Sequence, residues 1–328
     1  MRKQLVLAAK IAAAVLFTAL AIQVLVNEFA ATSIGDVADG LAHIGWVELG
    51  LAATATLVVY SVVATYDGLA LHYAGRKLSF ARSAMSSTTT YAISNLLGFP
   101  VFTGNALRLW LYGHWGLGAS EVVIAALVTT IVCNIALALL AGVSLVISTD
   151  EFVNILGLSP ALIDIVGALL IAGAAALIAI GIAGPRKFSL WKLDYVRPGP
   201  LLVPHVFICA IDYSATSAVL YVLLNDTLSI DFIHFIALFS VAKTIGIFSN
   251  IPGGLGIFEA VMASTMRSVA PADLAAALIA YRCIFYLAPF LVAAAFVAVH
   301  GLRRASRSQS ARRNPPRQPS HPSAQKRE

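Results

Sequence analysis

Charge is what this chain has least of. Of its 328 residues only 12% are Asp, Glu, Lys or Arg, while 59% are hydrophobic, about half the charged share of an ordinary soluble domain. Too little polar surface remains to coat a globule of this size, so a soluble fold is excluded. Cysteine is scarce too. Cys133, Cys209 and Cys283 each fall inside an apolar run without CxxC spacing or an evident metal set, and they are expected to pack as small hydrophobes. The chain also lacks a GxxxxGK[ST] phosphate loop, an HExxH pair and a GxSxG elbow. ATP is therefore not expected as a local energy source, and no nucleophile arrangement for an enzyme is present. Neither a cofactor nor a metal is expected.

What the sequence does have is long apolar text. Leu5–Val26, Leu49–Tyr66, Val122–Ile147, Leu162–Ile182, Leu201–Leu224 and Leu274–Val299 reach or approach the roughly 20 residues that carry a helix across a ~30 Å hydrocarbon layer. The class is an all-α polytopic membrane protein. The net charge of +6 is concentrated in short loops and in a tail over residues 303–328, so it reads as topology and not as a nucleic-acid surface.

Basic residues cluster at Arg2 and Lys3, at Arg76, Lys77 and Arg82, at Arg186, Lys187, Lys192 and Arg197, and in the tail. The alternate loops carry Glu28, Asp36 and Asp39, then Asp150 and Glu151, then Asp226 and Asp231. The positive-inside rule then puts both termini in the cytoplasm. The basic start, apolar run and small residues at Ala30–Ala31 imitate a signal peptide, but the run is long for that role. A retained first helix is expected.

A shift of 152 residues lays Pro100 on Pro252, Gly104 on Gly256 and Glu121 on Asp273, the second span over the fifth and the third over the sixth. Each half reads as span, span, Pro/Gly-interrupted segment, span. The expected organisation is a membrane domain over residues 1–302, with repeat one about 1–150 and repeat two about 155–302, and a disordered basic tail over 303–328. Three crossings plus a re-entrant hairpin per half would make the second copy inverted, although two fully spanning hairpins would keep the same topology. Broken apolar segments at matching places point to a site at the repeat interface, because irregular backbone is tolerated at membrane depth only inside protein or beside a wet cavity.

Pro252, Gly253, Gly254 and Gly256 can turn successive N–H groups towards one place, a nest suited to an anion. Glu259 follows in the next helical turn, Lys243 precedes the break, and Asn250 borders it. Arg108 near the first break, Asp212 in the fifth span and Arg282 in the sixth complete the interior charges, each costing at least ~2.5 kcal/mol at the bilayer centre unless paired or wetted. Arg108 and Glu259 occupy nearly equivalent repeat positions and are expected to approach one central polar cleft, where an Arg could read a lipid phosphate bidentately. The alternative is a set of static ion pairs holding two repeats together. The scattered histidines are assigned no role.

The string Pro252-Gly253-Gly254-Leu255-Gly256-Ile257-Phe258-Glu259, followed by Tyr281-Arg282, resembles the flippase-like transmembrane family of lysylphosphatidylglycerol synthase, the region preceding the synthase domain in multiple peptide resistance factors. The segment from Ser94 to Tyr112 looks like the family's partner segment, with Pro100, Gly104 and Arg108 in matching places and Asn105 where relatives commonly carry an acid. The resemblance implies a lipid flippase or transporter for phospholipids with anionic or aminoacylated head groups. The alternative is a non-catalytic membrane subunit or scaffold for a lipid-modifying enzyme partner. The Arg-, Ser-, Pro- and Gln-rich text after Val299 is not expected to form a soluble synthase domain.

Overall fold

A computed structural model of the chain describes residues 33–97, 100–183, 187–190, 193–196, 199–224, 227–228, 230–248 and 256–299. The first apolar run, the basic tail and Asn250, Pro252, Gly253 and Gly254 lie outside the described residues.

Short polar signals start the helices and apolar length sustains them. Helix α1 (Ile34–His43) opens on a capping box, in which the Ser33 N–H donates to Asp36 Oδ2 at 2.8 Å and the Asp36 N–H donates to Ser33 Oγ at 3.1 Å. The same bonds hold the Asp36 carboxyl below its ordinary range. Helices α2 (Trp46–Val63) and α3 (Tyr66–Tyr73) follow one another as a single apolar span of 28 residues. Then come α4 (Phe80–Leu97), α5 (Pro100–Tyr112), α6 (Ala119–Ile147), the short α7 (Thr149–Leu156) and α8 (Pro160–Ala183). The second half holds α9 (Leu202–Leu223), α10 (Phe232–Phe248), α11 (Ile257–Thr265) and α12 (Pro271–Tyr281), the last continuing through a π-helical stretch, Arg282–Leu287, to Val299.

Among the described residues, five helical segments, Trp46–Tyr73, Ala119–Ile147, Pro160–Ala183, Gly199–Leu223 and Pro271–Val299, are long and apolar enough to cross a membrane. They coincide with five of the six expected spans, and the protein is a multi-pass membrane protein. The sixth, the N-terminal run, falls outside the described residues. One element departs from the expected pattern: strands β1 (Lys187–Leu190) and β2 (Leu193–Val196) pair antiparallel, with Leu190 opposite Leu193 and Lys187 opposite Val196. The connection between α8 and α9 therefore carries a small hairpin where the basic residues suggest only a loop.

Helix α6 touches α3, α5, α8, α9 and α10, and α2 runs along α9. The apolar window of α9 is 50% buried and that of α8 only 11%, so α9 is a central helix and α8 a peripheral one. Leu57, Leu169, Ile180, Phe207 and Val292 stand exposed on the outside, the pattern of a surface solvated by lipid tails. Helices α4 and α5 pack on each other, as do α10 and α11. The beginning and end of the α4–α5 pair meet at one end of the molecule, where Arg82 stacks over the Trp115 ring at 5.9 Å and Arg76 donates to the Gly116 carbonyl at 3.2 Å. The offset of 152 also survives in the helix boundaries: Phe80 and Phe232 both open a helix, and Ala119–Ile147 corresponds to Pro271–Val299.

Candidate functional site

The first interrupted segment brings Arg108 to an acid that the apolar pattern hides. Pro100 opens α5, as a residue without an N–H can at the first helical position. Gly104 then lets α5 lie against α4, since a Cβ there would come within 3.0 Å of Ser94 Oγ and 3.2 Å of Thr90 Cγ2. One turn on, Arg108 meets Asp67 of α3. Its Nη2 donates to Oδ1 at 2.9 Å and its Nε to the same oxygen at 3.1 Å. Ser86 Oγ donates to Oδ2 at 3.0 Å, and the Tyr112 hydroxyl donates to that oxygen as well. The two side chains are 12% and 1% exposed, and so dry a carboxylate persists only with such a full set of donors.

The second interrupted segment builds its own pair. Gly256 takes φ +82°, in the left-handed region that favours glycine, and its N–H donates to Glu259 Oε2 at 2.8 Å, so Glu259 closes the start of α11. Its other oxygen accepts from Arg282 Nε at 2.8 Å and from Nη2. Arg282 sits at the first residue of the π-helical stretch, a distortion that recurs at functional sites. Its guanidinium lies 4.6 Å from the Tyr286 ring centroid and 6.0 Å from that of Phe258, so aromatic faces and one carboxylate share its charge.

Arg108 and Glu259, expected to approach one central cleft, are each paired, with Asp67 and Arg282 respectively. A third acid, Asp212 of α9, is 2% exposed. It accepts from the Tyr66 hydroxyl at 2.7 Å and from Thr216 Oγ1 at 3.4 Å. Lys243 of α10 donates to the Tyr286 hydroxyl at 3.2 Å and lies 5.7 Å from that ring's centroid. Asp212 and Lys243 stand at matching heights on α9 and α10, which pack antiparallel with Tyr221 against Phe235. Two polar threads thus lie on neighbouring helices, Tyr66–Asp212–Thr216 and Lys243–Tyr286–Arg282–Glu259.

Several buried polar atoms in this region have no partner among the described residues: the Tyr60 hydroxyl, Thr90 Oγ1 and Asn105 Oδ1. Buried groups of that kind call for water or a polar ligand. Cys133 and Cys209 touch, Sγ to Sγ 3.2 Å, as free thiols joining α6 to α9, with His205 one turn from Cys209. Among the described residues no cluster fit to hold a metal ion occurs. Asn250, Pro252, Gly253 and Gly254, the expected anion nest, fall outside the described residues; of that string Gly256 and Glu259 are seen.

Reasoning from sequence misses Asp67, Tyr66, Tyr112 and Tyr286. A signal for Asp67 is nevertheless present: Leu69, Ala70 and Leu71 continue the apolar text beyond it, which puts the acid inside a helix and not in a loop.

A family model for the lysylphosphatidylglycerol synthase TM region matches residues 7–293. The chain is 29% identical over 272 residues to the "Uncharacterized protein slr0712" of Synechocystis, a match covering 78% of this chain and 84% of that protein. It is 26% identical over 248 residues to "Inner membrane protein YbhN" of Escherichia coli, covering 74% of this chain and 77% of that one.

Proposed function

We propose that this chain, which belongs to the lysylphosphatidylglycerol synthase transmembrane-region family, is a lipid translocator. It moves a polar phospholipid head group, anionic or aminoacylated, through the protein interior while the tails stay in the bilayer. It works without covalent chemistry and is no enzyme. The observation that carries the reading is the placement of charge: each broken-helix hairpin supplies one member of a buried ion pair, Arg108 with Asp67 and Glu259 with Arg282. Ionisable side chains inside spans mark substrate and ion pathways. An Arg fork that binds a carboxylate matches phosphate geometry equally well.

Two inverted repeats are part of the proposal. It is supported by the recurrence of helix boundaries at the 152-residue offset and by loops whose charges alternate from basic to acidic. The hairpins are re-entrant in this reading: α11, with nine residues, is about 14 Å long at 1.5 Å per residue, well short of a ~30 Å layer. The membrane is a bacterial inner membrane, in keeping with the name of the Escherichia coli relative, and both termini face the cytoplasm.

Mass spectrometry of lipids that co-purify in mild detergent tests this, comparing wild type with Arg108→Ala and Glu259→Gln. One head-group class should be enriched over the bulk membrane, and the enrichment should fall at least several-fold in both variants. Three profiles that mirror the bulk membrane would refute it and favour a scaffold for a lipid-modifying enzyme.

A further inference from the structure

Among the described residues, the structure does not treat the interior carboxylates Asp67, Asp212 and Glu259 alike. Asp67 is held by Arg108 and Glu259 by Arg282, each by a guanidinium within hydrogen-bond distance. Asp212 is held by the Tyr66 and Thr216 hydroxyls, and no cation lies within ion-pair distance of it among the described residues.

The titratable groups around Asp212 come from every side: Tyr66 of α3, which donates to it, with Tyr60 of α2, Tyr91 of α4, Cys133 of α6, Cys209 and Tyr213 of its own helix, and Lys243 of α10. Lys243 is the single cation among them. Of the other elements packed on α9, the α12 segment brings Arg282, already bound to Glu259, and α8 brings Asp164, which accepts from the Thr149 hydroxyl. Lys243 in turn rests on a tyrosine hydroxyl and a ring face, with no carboxylate at contact among the described residues. An acid without a salt bridge and a base without a salt bridge therefore stand at the same level of the packed, antiparallel α9–α10 pair, whose register the Tyr221–Phe235 ring contact sets.

We propose that Asp212 takes up one proton each time an anionic head group settles against Lys243, so that proton and lipid occupy the site together. The proposal rests on reading the interior charges as a lipid head-group site.

The argument is a charge balance. With Asp212 ionised, Asp212 and Lys243 sum to zero, as do the two salt-bridged pairs. A phosphate diester arriving at Lys243 would leave one uncompensated negative charge in a medium that penalises it severely. A proton on Asp212, drawn from the aqueous phase on the side from which the lipid enters, removes that charge. It converts the carboxylate to a carboxylic acid and changes no other bond. The hydroxyls around it suit both states, because Tyr66 and Thr216 can donate to the carboxylate or accept from the acid O–H, whereas a guanidinium can only donate. This is why Asp212, and not Asp67 or Glu259, is the residue that titrates with loading.

Linkage fixes the size of the effect. If one proton enters with each head group, the apparent Kd rises about tenfold for each unit that pH is raised, as long as Asp212 is ionised in the empty protein. The test is fluorescence binding of NBD-labelled phosphatidylglycerol to the purified full chain at about pH 6, about pH 7 and about pH 8. Wild type and Asp212→Glu should both weaken as pH rises, the loss steepening towards about tenfold per unit at the upper end. Asp212→Asn should bind equally well throughout, and at the highest pH as tightly as wild type at the lowest. A flat wild-type profile, or a slope kept by Asp212→Asn, overturns the coupling and leaves the lipid reading standing. Failure of phosphatidylglycerol to bind wild type at any pH overturns the anionic-lipid reading and takes the coupling with it.

Discussion

Arg108 and Asp67 show how an interior charge is made tolerable: two guanidinium bonds, one serine hydroxyl and one tyrosine hydroxyl converge on a carboxylate that is 1% exposed. Removing one member strands the other in a dry place, at a cost of about 3–5 kcal/mol. Asp67→Asn and Arg108→Gln are each expected to destabilise by that order in an SDS-titration unfolding assay. The double variant should cost clearly less than the sum of the two, and strictly additive losses would mean that the pair contributes no coupling. Arg108, Asp212, Glu259 and Arg282 are legible in the sequence because an ion inside an apolar run stands out one residue at a time. Asp67 is harder to read, because it directly follows the run that ends at Tyr66, and only Leu69, Ala70 and Leu71 beyond it mark the helix as continuing. Its burial depends on α3 continuing for two more turns, to Tyr73, and on Arg108 arriving from 41 positions away. The hydroxyls of Tyr66, Tyr112 and Tyr286 carry no pattern at all, since a tyrosine in a span reads equally well as apolar packing.

Helix α8 illustrates packing without a hydrophobic drive. Its window is only 11% buried, and lipid tails are as apolar as its leucines, so its hold on α6 depends on close backbone approach. Gly142 and Gly167 supply that approach. A Cβ on Gly142 would stand 2.8 Å from the Gly167 carbonyl oxygen, and one on Gly167 2.9 Å from the Gly142 carbonyl oxygen. Gly142→Val should therefore cost about 1–3 kcal/mol, the scale of overpacking a well-fitted contact. Gly173→Val, where nothing lies within 4 Å, should be nearly neutral in the same unfolding assay. Equal effects would show that the α6–α8 contact is loose. Spans of this kind are legible from apolar length alone, and Pro and Gly punctuation marks both interrupted segments. The β1–β2 hairpin is not legible, because Lys187–Val196 mixes charge and apolar residues with no period to distinguish a strand pair from a loop.

At the scale of the whole molecule, the decisive question is where each connection lies relative to the bilayer, and the interrupted hairpins determine the answer. Arg76, Arg82, Trp115 and Gly116 meet at one end, so the chain that leaves α3 and the chain that enters α6 share a side, and the α4–α5 hairpin adds no net crossing. In the proposed reading, an odd number of crossings per half turns the second copy over, the arrangement that would let two broken segments approach one interior site from opposite faces. Single cysteines in a cysteine-free background test this with a membrane-impermeant maleimide. Lys77→Cys and Ser120→Cys, which bracket the first hairpin, should label from the cytoplasmic side alone, and Ser268→Cys, after the second hairpin, from the outer side alone. Leu97→Cys, at the end of α4 and 51% exposed in the structure, separates a re-entrant hairpin from a spanning one. A re-entrant tip stays inside the hydrocarbon layer and should resist the outer reagent, whereas a tip that crosses should label as readily as Ser268→Cys. Labelling of Lys77→Cys and Ser120→Cys from opposite sides would break the inversion, and with it the reason for placing the two ion pairs on one pathway.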